Sequence, residues 1–258
     1  MQGVRQILLH GIVSLNSEST PWADLLIFPI PNYLKLGYGR DMELERKELM
    51  YLPNKFHCQD RKAIQSLMER YPLATLVTIV DGSPIISHLP LVVEADSTGN
   101  MVLLGHMPKA NPHSRHIANS ETTIIFQGPN AYITPKWYEK NDVPTWNYAV
   151  VHCKGSAKPI LDFNGIQKCL QKLTESVERH SLDPWEFWLP EDLNTPADLT
   201  AALMGFEICV TQVKAKFKLS QNRSQGDLKG IITGLNTRAD DYSKEILNLI
   251  KTHTNLDI

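Results

Sequence analysis

Three short clusters of the sequence combine residue types that can bind an anionic or heterocyclic ligand. Residues 87–91, SHLPL, place His88 near the middle of an extended segment. Residues 105–113, GHMPKANPH, run from the end of another such segment into a basic turn that contains Lys109. Residues 216–223, KFKLSQNR, join basic side chains to amides that can hydrogen-bond the edge of a heterocycle.

Lys109 is the best candidate for binding a phosphate group. The sequence that follows it predicts a short helix over 111–119. A lysine beside a helix N-terminus favours an anion, because the free backbone amides and the helix dipole both attract negative charge. The alternative interpretation is an ordinary basic turn exposed to solvent.

Residues 126–148, FQGPNAYITPKWYEKNDVPTWNY, are the most aromatic part of the chain. Gly128-Pro129 predicts a turn, and a polar loop at 139–142 lies between two proline-containing segments. Aromatic side chains stand on both sides of that loop: Tyr132, Trp137, Tyr138, Trp146 and Tyr148. Such a surface can hold a flat ligand or dock a partner. The alternative is that the rings only cap a β-sheet core.

Composition narrows the class of protein. The chain has 258 residues, 42% hydrophobic and 21% charged, which is ordinary for a globular protein with a sizeable core. A net charge of −2 gives no indication of nucleic-acid binding over the whole chain. Four widely spaced cysteines without a CxxC pair predict free thiols in a reducing cytoplasm. Residues 22–34 are apolar but interrupted by prolines, and the run is too short for a membrane span.

Several common chemistries lack their sequence signals. GxGxxG, GxxxxGK[ST], GxSxG and HExxH motifs are absent, which disfavours dinucleotide binding on a doubly wound fold and common hydrolase mechanisms. No helix-turn-helix with a basic recognition helix is evident. His106, His113 and His116 do not match a standard metal spacing. Cys153 and His152 are neighbours on a predicted strand, so their side chains point to opposite faces and disfavour a Cys–His nucleophile.

The first 49 residues differ from the rest of the chain. Glu43 to Leu49 would have purine-rich codons, and an Arg-Lys pair can be encoded by a sequence that resembles a ribosome-binding site before Met50. We therefore hypothesise that translation begins at Met50 and that the functional domain spans 50–258. Intact-mass measurement of the native protein tests this, since a chain carrying Met1 would contradict it.

Hydrophobic periodicity and turn residues from Met50 onward predict an α+β fold. Asp60 caps a predicted helix that ends near Glu69. Six strands are then predicted: Leu73–Val80, Pro84–Val93, Met101–Gly105, Thr122–Phe126, Ala131–Thr134 and Asn147–Leu161. Further segments follow in the C-terminal third: helices over 162–180, 197–204, 224–236 and 240–253, and a strand over 205–211. Mostly short connections favour a closed antiparallel barrel over a doubly wound sheet.

Six motifs in this order resemble the PaiB-type family, described as FMN-binding negative transcriptional regulators. They are MYLPNKF at 50–56, SHLPL at 87–91, GHMPKANPH at 105–113, FQGPNAYITPKWY at 126–138, VPTWNY at 143–148 and KLSQNR at 218–223. The resemblance begins at Met50 and reaches the C-terminal helices, and several motifs are long enough to be specific. The first 49 residues have no counterpart in it.

The resemblance implies an FMN-binding split β-barrel like that of pyridoxamine-phosphate-oxidase-type flavoproteins, with FMN at a homodimer interface. The family motifs fall on the residues named above, and the chemistry of their side chains predicts contacts of four kinds with FMN. These are Lys109 with Asn111 at the phosphate; His88, Leu89 and His106 beside the isoalloxazine ring; Trp146, Asn147 and Tyr148 closing the pocket, from the same or the second subunit; and Gln221, Asn222 and Arg223 at the ring edge or phosphate.

The resemblance leaves more than one function open. The family description implies a negative transcriptional regulator with FMN as a structural or sensing cofactor, acting on DNA directly or indirectly. The missing DNA-binding motif and the near-neutral charge favour an indirect regulator or an FMN-dependent oxidoreductase. Haem binding is a third interpretation, because related split barrels can hold haem.

Overall fold

One antiparallel sheet organises the computed structural model, which describes residues 50–118, 120–140, 142–179 and 181–254. The described part contains eight strands: β1 His57–Cys58, β2 Leu73–Val80, β3 Ser83–Pro90, β4 Val92–Ala95, β5 Met101–Pro108, β6 Glu121–Ile133, β7 Thr145–Ile160 and β8 Leu203–Lys218. Their order is β3-β2-β6-β7-β8-β5-β4, with β1 beside the C-terminal part of β8. The start-site hypothesis concerns residues 1–49, which lie outside the described residues.

Five helices complete the described fold: α1 Arg61–Arg70, α2 Phe163–Glu178, α3 Pro196–Ala202, α4 Gln225–Arg238 and α5 Asp241–His253. Side-chain caps explain where several of them begin. The Asp60 carboxylate accepts from the backbone amides of Lys62 and Ala63 at the start of α1. Asp240 caps α5 in the same way through the amide of Ser243. The α+β split barrel with a helical C-terminal part is therefore confirmed.

Pro90 changes how the barrel is built. We predicted one strand over Pro84–Val93, but β3 ends at Pro90 and β4 begins at Val92, on the far edge of the sheet. Pro90 has no N–H for a ladder, and the buried Leu91 donates its N–H to the Pro72 carbonyl at 3.0 Å. The predicted closed ladder is wrong, because β3 and β4 are the two edges of an open strand order in the described residues.

The predicted turn at Gly128-Pro129 is also wrong. The two short strands expected around it form the single strand β6, and its pairing with β7 shifts register between Gln127 and Asn130. The shift marks a β-bulge, in which the chain bends without leaving the sheet. Gly128 is needed there because a Cβ would approach the Leu67 side chain of α1 to 2.9 Å. One merged strand, one divided strand and the additional β1 account for eight described strands where seven were predicted.

The two faces of the sheet differ in composition. The inner face packs with α1 and α5 into the hydrophobic core, for example through Phe126, Phe217 and Ile246. The opposite face, here called the outer face, leaves large apolar side chains exposed on β2 and β3: Leu73, Ile79 and Ile86. Residues directly paired across an antiparallel ladder share a face, so the register of each ladder assigns every strand residue to one side.

Candidate functional site

The turn after β5 presents Lys109. The Lys109 N–H donates to the Ala202 carbonyl at 2.9 Å, which ties the turn to the C-terminus of α3. The Asn111 side chain accepts from the His113 N–H at 3.0 Å and caps a single 3₁₀ turn, Pro112–Arg115. The helix predicted over 111–119 is therefore much shorter than expected. The Lys109 side chain is exposed and forms no ion pair with a carboxylate in the described part of the chain.

The charge around Lys109 favours an anion. Residues 97–120 contain no aspartate or glutamate, while Lys109 and Arg115 are both exposed. The amides of Lys109 and Asn111 already donate to carbonyl groups, the latter to Pro108 at 3.0 Å. A phosphate at this turn would therefore depend on the lysine side chain more than on the backbone amides that we first considered.

A chain of buried hydrogen bonds holds the same turn, and we call it the His113 network. His113 is fully buried, with Nε2 2.7 Å from Thr78 Oγ1 and Nδ1 3.0 Å from Ser87 Oγ. Thr78 Oγ1 also lies 2.7 Å from Thr122 Oγ1, and the Asn111 amide nitrogen donates to Ser87 Oγ at 3.1 Å. Burial, with a smaller contribution from His116, lowers the pKa of His113. The network connects the turn to β2, β3 and β6.

Most of the hydrogen-bond partners in this network were not predicted from the sequence. His113 was considered only as a metal ligand. The signal that could have found its partners is a set of hydroxyl residues, Ser87, Thr78 and Thr122, at inward-facing strand positions, where a buried hydroxyl needs a hydrogen-bond partner. Among the described residues, no group of three or more His, Cys, Asp or Glu side chains is arranged to hold a metal ion.

The three residues predicted beside the flavin ring do not share one surface. His88 is exposed on the outer face, where its Nδ1 lies 3.0 Å from Thr75 Oγ1. Leu89, its neighbour, packs against the core. His106 is half-buried opposite Gly205, and its Nδ1 is buried without a hydrogen-bond partner in the described residues. Burial lowers the pKa of His106.

The orphaned nitrogen of His106 bears on whether a flavin fits this region. A buried polar atom without a partner is costly, and a hydrogen-bonding ligand would relieve that cost. A heterocycle with donors and acceptors on its edge is such a ligand, and the exposed Lys109 lies three residues further along the chain. The two residues therefore fit a ligand that has a polar ring and a phosphate.

The aromatic stretch divides between the two faces of the sheet. Trp146 and Tyr148 lie on the outer face, and Trp146 meets Tyr132 edge-on with ring centroids 5.9 Å apart. Asn147 is fully buried on the inner face, where its Oδ1 accepts from Ser220 Oγ at 3.0 Å. Its amide nitrogen has no partner in the described residues. Alternation along β7 thus separates Asn147 from the two rings with which it was grouped.

Helix α4 holds the polar loop of this stretch through a row of glycines. A side chain at Gly230 or Gly234 would collide with Trp137, so the glycines let the loop lie against the helix backbone. The Arg238 guanidinium stacks over the Trp137 ring at 4.6 Å and donates to the Tyr132 carbonyl at 2.9 Å. The glycine spacing of four residues in α4 was the missed sequence signal. Trp137 therefore has a structural role, because it is packed against α4.

In the turn after β8, the polar side chains of Gln221 and Arg223 bond to other groups of the protein. Gln221 Oε1 accepts from the Leu219 N–H at 2.7 Å, and its Nε2 donates to the Phe217 carbonyl. Arg223 forms an ion pair with Asp142 and stacks over the Tyr138 ring at 4.3 Å. Asn222 is exposed. Of these three residues, Asn222 keeps the most freedom to contact a ligand.

Within one chain the predicted contacts fall into two separate groups. The ladder pairs His88 with Thr75, Thr75 with Ile125, and Ile125 with His152, so His88 and His152 lie in one row three strands apart. Tyr148 is four residues from His152 along β7. Strand spacing and rise per residue then put His88 and Tyr148 about 20 Å apart. His88 and Tyr148 therefore do not converge within a single subunit.

Among the four cysteines, Cys153 beside His152 is not suited to act as a nucleophile. None of the four forms a disulfide, and Cys153 is fully buried in β7. Burial raises the pKa of the Cys153 thiol to about 12, so the reactive thiolate does not form at neutral pH. No helix in the described residues is both long and apolar enough to cross a membrane.

Comparison with known proteins identifies the family. Residues 50–212 match the family described as "Putative FMN-binding domain". The chain belongs to this family. It is 32% identical over 205 residues to the Bacillus subtilis protein "Protease synthase and sporulation protein PAI 2", covering 78% of this chain and 97% of that protein. These matches confirm the PaiB-type resemblance.

Two further matches extend the comparison. An uncharacterized protein of Emericella nidulans is 29% identical over 230 residues, covering 73% of this chain and 91% of that protein. The structure of the flavocytochrome Anf3 from Azotobacter vinelandii superposes with a TM-score of 0.50 at 15% identity, covering 63% of this chain and 69% of that chain. At this identity the structural match supports the fold alone.

Proposed function

We propose that this protein binds FMN at the interface of a homodimer and acts as a negative transcriptional regulator through the state of the flavin. The observation that carries the proposal is the turn after β5, where Lys109 is exposed, Asn111 caps the following 3₁₀ turn, and the segment has no acidic residues. Family membership supports a flavin as the ligand. The lysine supports the phosphate-bearing form, FMN, over riboflavin.

The separation of the two residue groups supports a site shared by two subunits. His88 and Tyr148 are about 20 Å apart across the sheet of one chain, so a single subunit does not bring both to one flavin ring. A second copy can bring its own Trp146 and Tyr148 to the first copy's Lys109. The exposed apolar side chains of Leu73, Ile79 and Ile86 on the outer face are suited to burial between two subunits.

Replacement of Ile86 by Asp tests the dimer. A charge on the outer face should shift the protein from dimer to monomer in sedimentation equilibrium and weaken FMN binding in parallel. Leu182→Asp is the matched control, because Leu182 is fully exposed on a loop outside the sheet. An Ile86→Asp variant that stays dimeric and binds FMN normally would remove the outer face from the proposal.

An indirect route to regulation suits the described helices. Helix α4 carries Asp227, Lys229 and Arg238 as its charged residues, and α5 balances Lys244 and Lys251 against two acids. Neither is a basic recognition helix. A gel-shift titration with promoter DNA at several salt concentrations tests this, because direct binding would give a shift that weakens as salt rises.

An FMN-dependent oxidoreductase is the second candidate. It is favoured by the half-exposed rings of Trp146 and Tyr132, which leave room for a second flat ligand beside the flavin. An absorbance spectrum of residues 50–258 with FMN, followed by NADH or NADPH, distinguishes the two functions. Bleaching of the flavin bands would favour the oxidoreductase, and a bound flavin that stays oxidised would favour the regulator. A protein without flavin bands would contradict both.

The free thiols support a cytoplasmic location.

A further inference from the structure

Three lysines form a row on the outer face of β8. Lys214, Lys216 and Lys218 alternate with Ala215 and Phe217, which are buried in the core. The alternation places the three ammonium groups on the same side of the sheet, with neighbouring Cα atoms about 7 Å apart. On β7 they face His152, Val150 and Tyr148, respectively. We call Lys214, Lys216 and Lys218 the lysine row.

The lysine row has no counter-charge in the described residues. None of its members forms an ion pair with a carboxylate, whereas two nearby cations do: Lys154 pairs with Glu121, and Arg223 pairs with Asp142. Burial lowers the pKa of Lys218, and the positive charges of Lys216, Arg223 and Lys55 lower it further. Like charges gathered on one face repel, and a bound anion would remove that repulsion.

The lysines are also held in place. Lys216 Nζ donates to the Tyr51 carbonyl at 3.0 Å and lies over two rings, Tyr51 at 5.2 Å and Tyr148 at 5.6 Å. Lys218 Nζ donates to Thr145 Oγ1. An ammonium group has three N–H donors, so each of the two keeps donors for a ligand. Ordered cations lose less conformational entropy on binding than freely moving lysines.

Aromatic rings lie at the Tyr148 end of the row. Tyr148 is directly paired with Lys218, and Trp146 follows on the same face with 52% of its surface exposed. A nucleotide has both features that this surface requires, namely a ring that can stack on Trp146 and phosphates that can reach the lysines. The row is short, with three lysines on one strand, whereas a nucleic-acid surface would extend its positive charge along the backbone path.

We propose that the lysine row and Trp146 bind the phosphates and base of a second nucleotide, distinct from the flavin, of the class to which nicotinamide dinucleotides belong. The inference rests on the proposed FMN site only in naming the ligand as a partner of the flavin. Lys109 serves the flavin phosphate, and the lysine row serves the second ligand. Lys109 and the lysine row can therefore be substituted separately, whereas Trp146 would lie between the two ligands and belong to both sites.

The test uses FMN-loaded full-length protein and two probes, inorganic pyrophosphate and NADPH, titrated calorimetrically. Lys216→Met with Lys218→Met should weaken both probes at least tenfold and leave the ratio of FMN affinity to riboflavin affinity unchanged, because in this proposal neither lysine contacts the flavin phosphate. Arginine at both positions should restore binding, which separates charge from folding. Lys158→Met is the control, because Lys158 is an exposed lysine of β7 outside the row.

Three results would overturn the proposal. The first is wild-type protein that binds FMN but neither probe. The second is a double Met variant that loses FMN affinity but keeps riboflavin affinity, because the row would then hold the flavin phosphate. The third is a single-stranded oligonucleotide that binds through the same lysines more tightly than pyrophosphate, which would indicate a nucleic-acid surface. Failure of the FMN proposal gives a different signal, namely a protein without flavin that still binds pyrophosphate.

Discussion

The turn after β5 and the turn after β8 use their polar groups differently. Both contain a basic residue and an asparagine, and both follow a strand end. In the first turn, Asn111 and the His113 network secure the backbone, so Lys109 is left exposed to solvent. In the second, the Gln221 side chain bonds the backbone of Leu219 and Phe217, and Arg223 pairs with Asp142.

The difference shows how a turn can offer a charge to a ligand. A turn whose backbone is held by neutral side chains can leave its cation unpaired, as at Lys109. A turn whose amide side chain bonds its backbone and whose cation is in an ion pair has fewer polar groups free to contact a ligand. At β8 the cations without an ion pair in the described residues are on the strand, not in the turn. The predictions below test this division of roles.

The largest effect should come from His113→Leu. This change removes both hydrogen bonds of the buried imidazole, to Thr78 and Ser87, and leaves their hydroxyl groups with fewer partners. We expect the free energy of unfolding to fall by about 2–3 kcal/mol, measured by urea denaturation. His116→Leu is the control, because His116 is only half-buried. Equal losses in the two variants would show that the network does not hold the turn.

Lys109→Ala should weaken FMN binding by about 1.5–3 kcal/mol, because a charge-assisted contact to the phosphate is lost. Fluorescence titration with FMN measures it, and riboflavin should bind the variant and the wild type equally. Arg115→Ala is the matched control for the general positive charge of the turn, since Arg115 is also exposed. If FMN affinity does not change, the phosphate lies elsewhere, and Arg223 is the next candidate.

Gln221→Ala and Asn222→Ala should separate structure from binding in the second turn. Loss of the Gln221 bonds to Leu219 and Phe217 should lower the free energy of unfolding by about 1 kcal/mol. Asn222→Ala should change it by less than about 0.5 kcal/mol, as is usual for exposed positions. An FMN affinity that falls in the Gln221 variant without a loss of stability would contradict the structural role.

Some parts of this molecule follow from local sequence and others do not. The start of α1 at Asp60 and the strand Leu73–Val80 are predicted correctly, because capping and β-branched runs act over a few residues. The bulge at Gly128 looks like a turn until the neighbouring strand and the Leu67 side chain are present. Tertiary contact decides such a position, and no local pattern encodes it.

The positions of the candidate-site residues also depend on tertiary contacts that local sequence does not predict. The motifs indicate which residues matter, but strand register decides which face each one occupies. Asn147 is adjacent to Trp146 in sequence and lies on the other side of the sheet. The partners of His113 come from three strands that are distant in sequence, so only the folded chain brings them together. The assignment of individual residues to the flavin stays a prediction.

The smallest effect should be a difference in acid sensitivity between the wild type and His113→Gln. Burial lowers the pKa of His113 in the folded protein below its ordinary value of 6.5, so the unfolded chain binds more protons in the interval between the two values. Stability should therefore fall as pH drops below about 6.5, by at most about 1.4 kcal/mol per pH unit for this one group.

His106 and His253 have pKa values lowered by burial as well, so the wild type alone does not isolate His113. The difference between the two urea-denaturation profiles does, and we expect the glutamine variant to have the shallower slope on the acid side. Parallel profiles would mean that His113 titrates normally in the folded protein, and that its network tolerates the protonated imidazole.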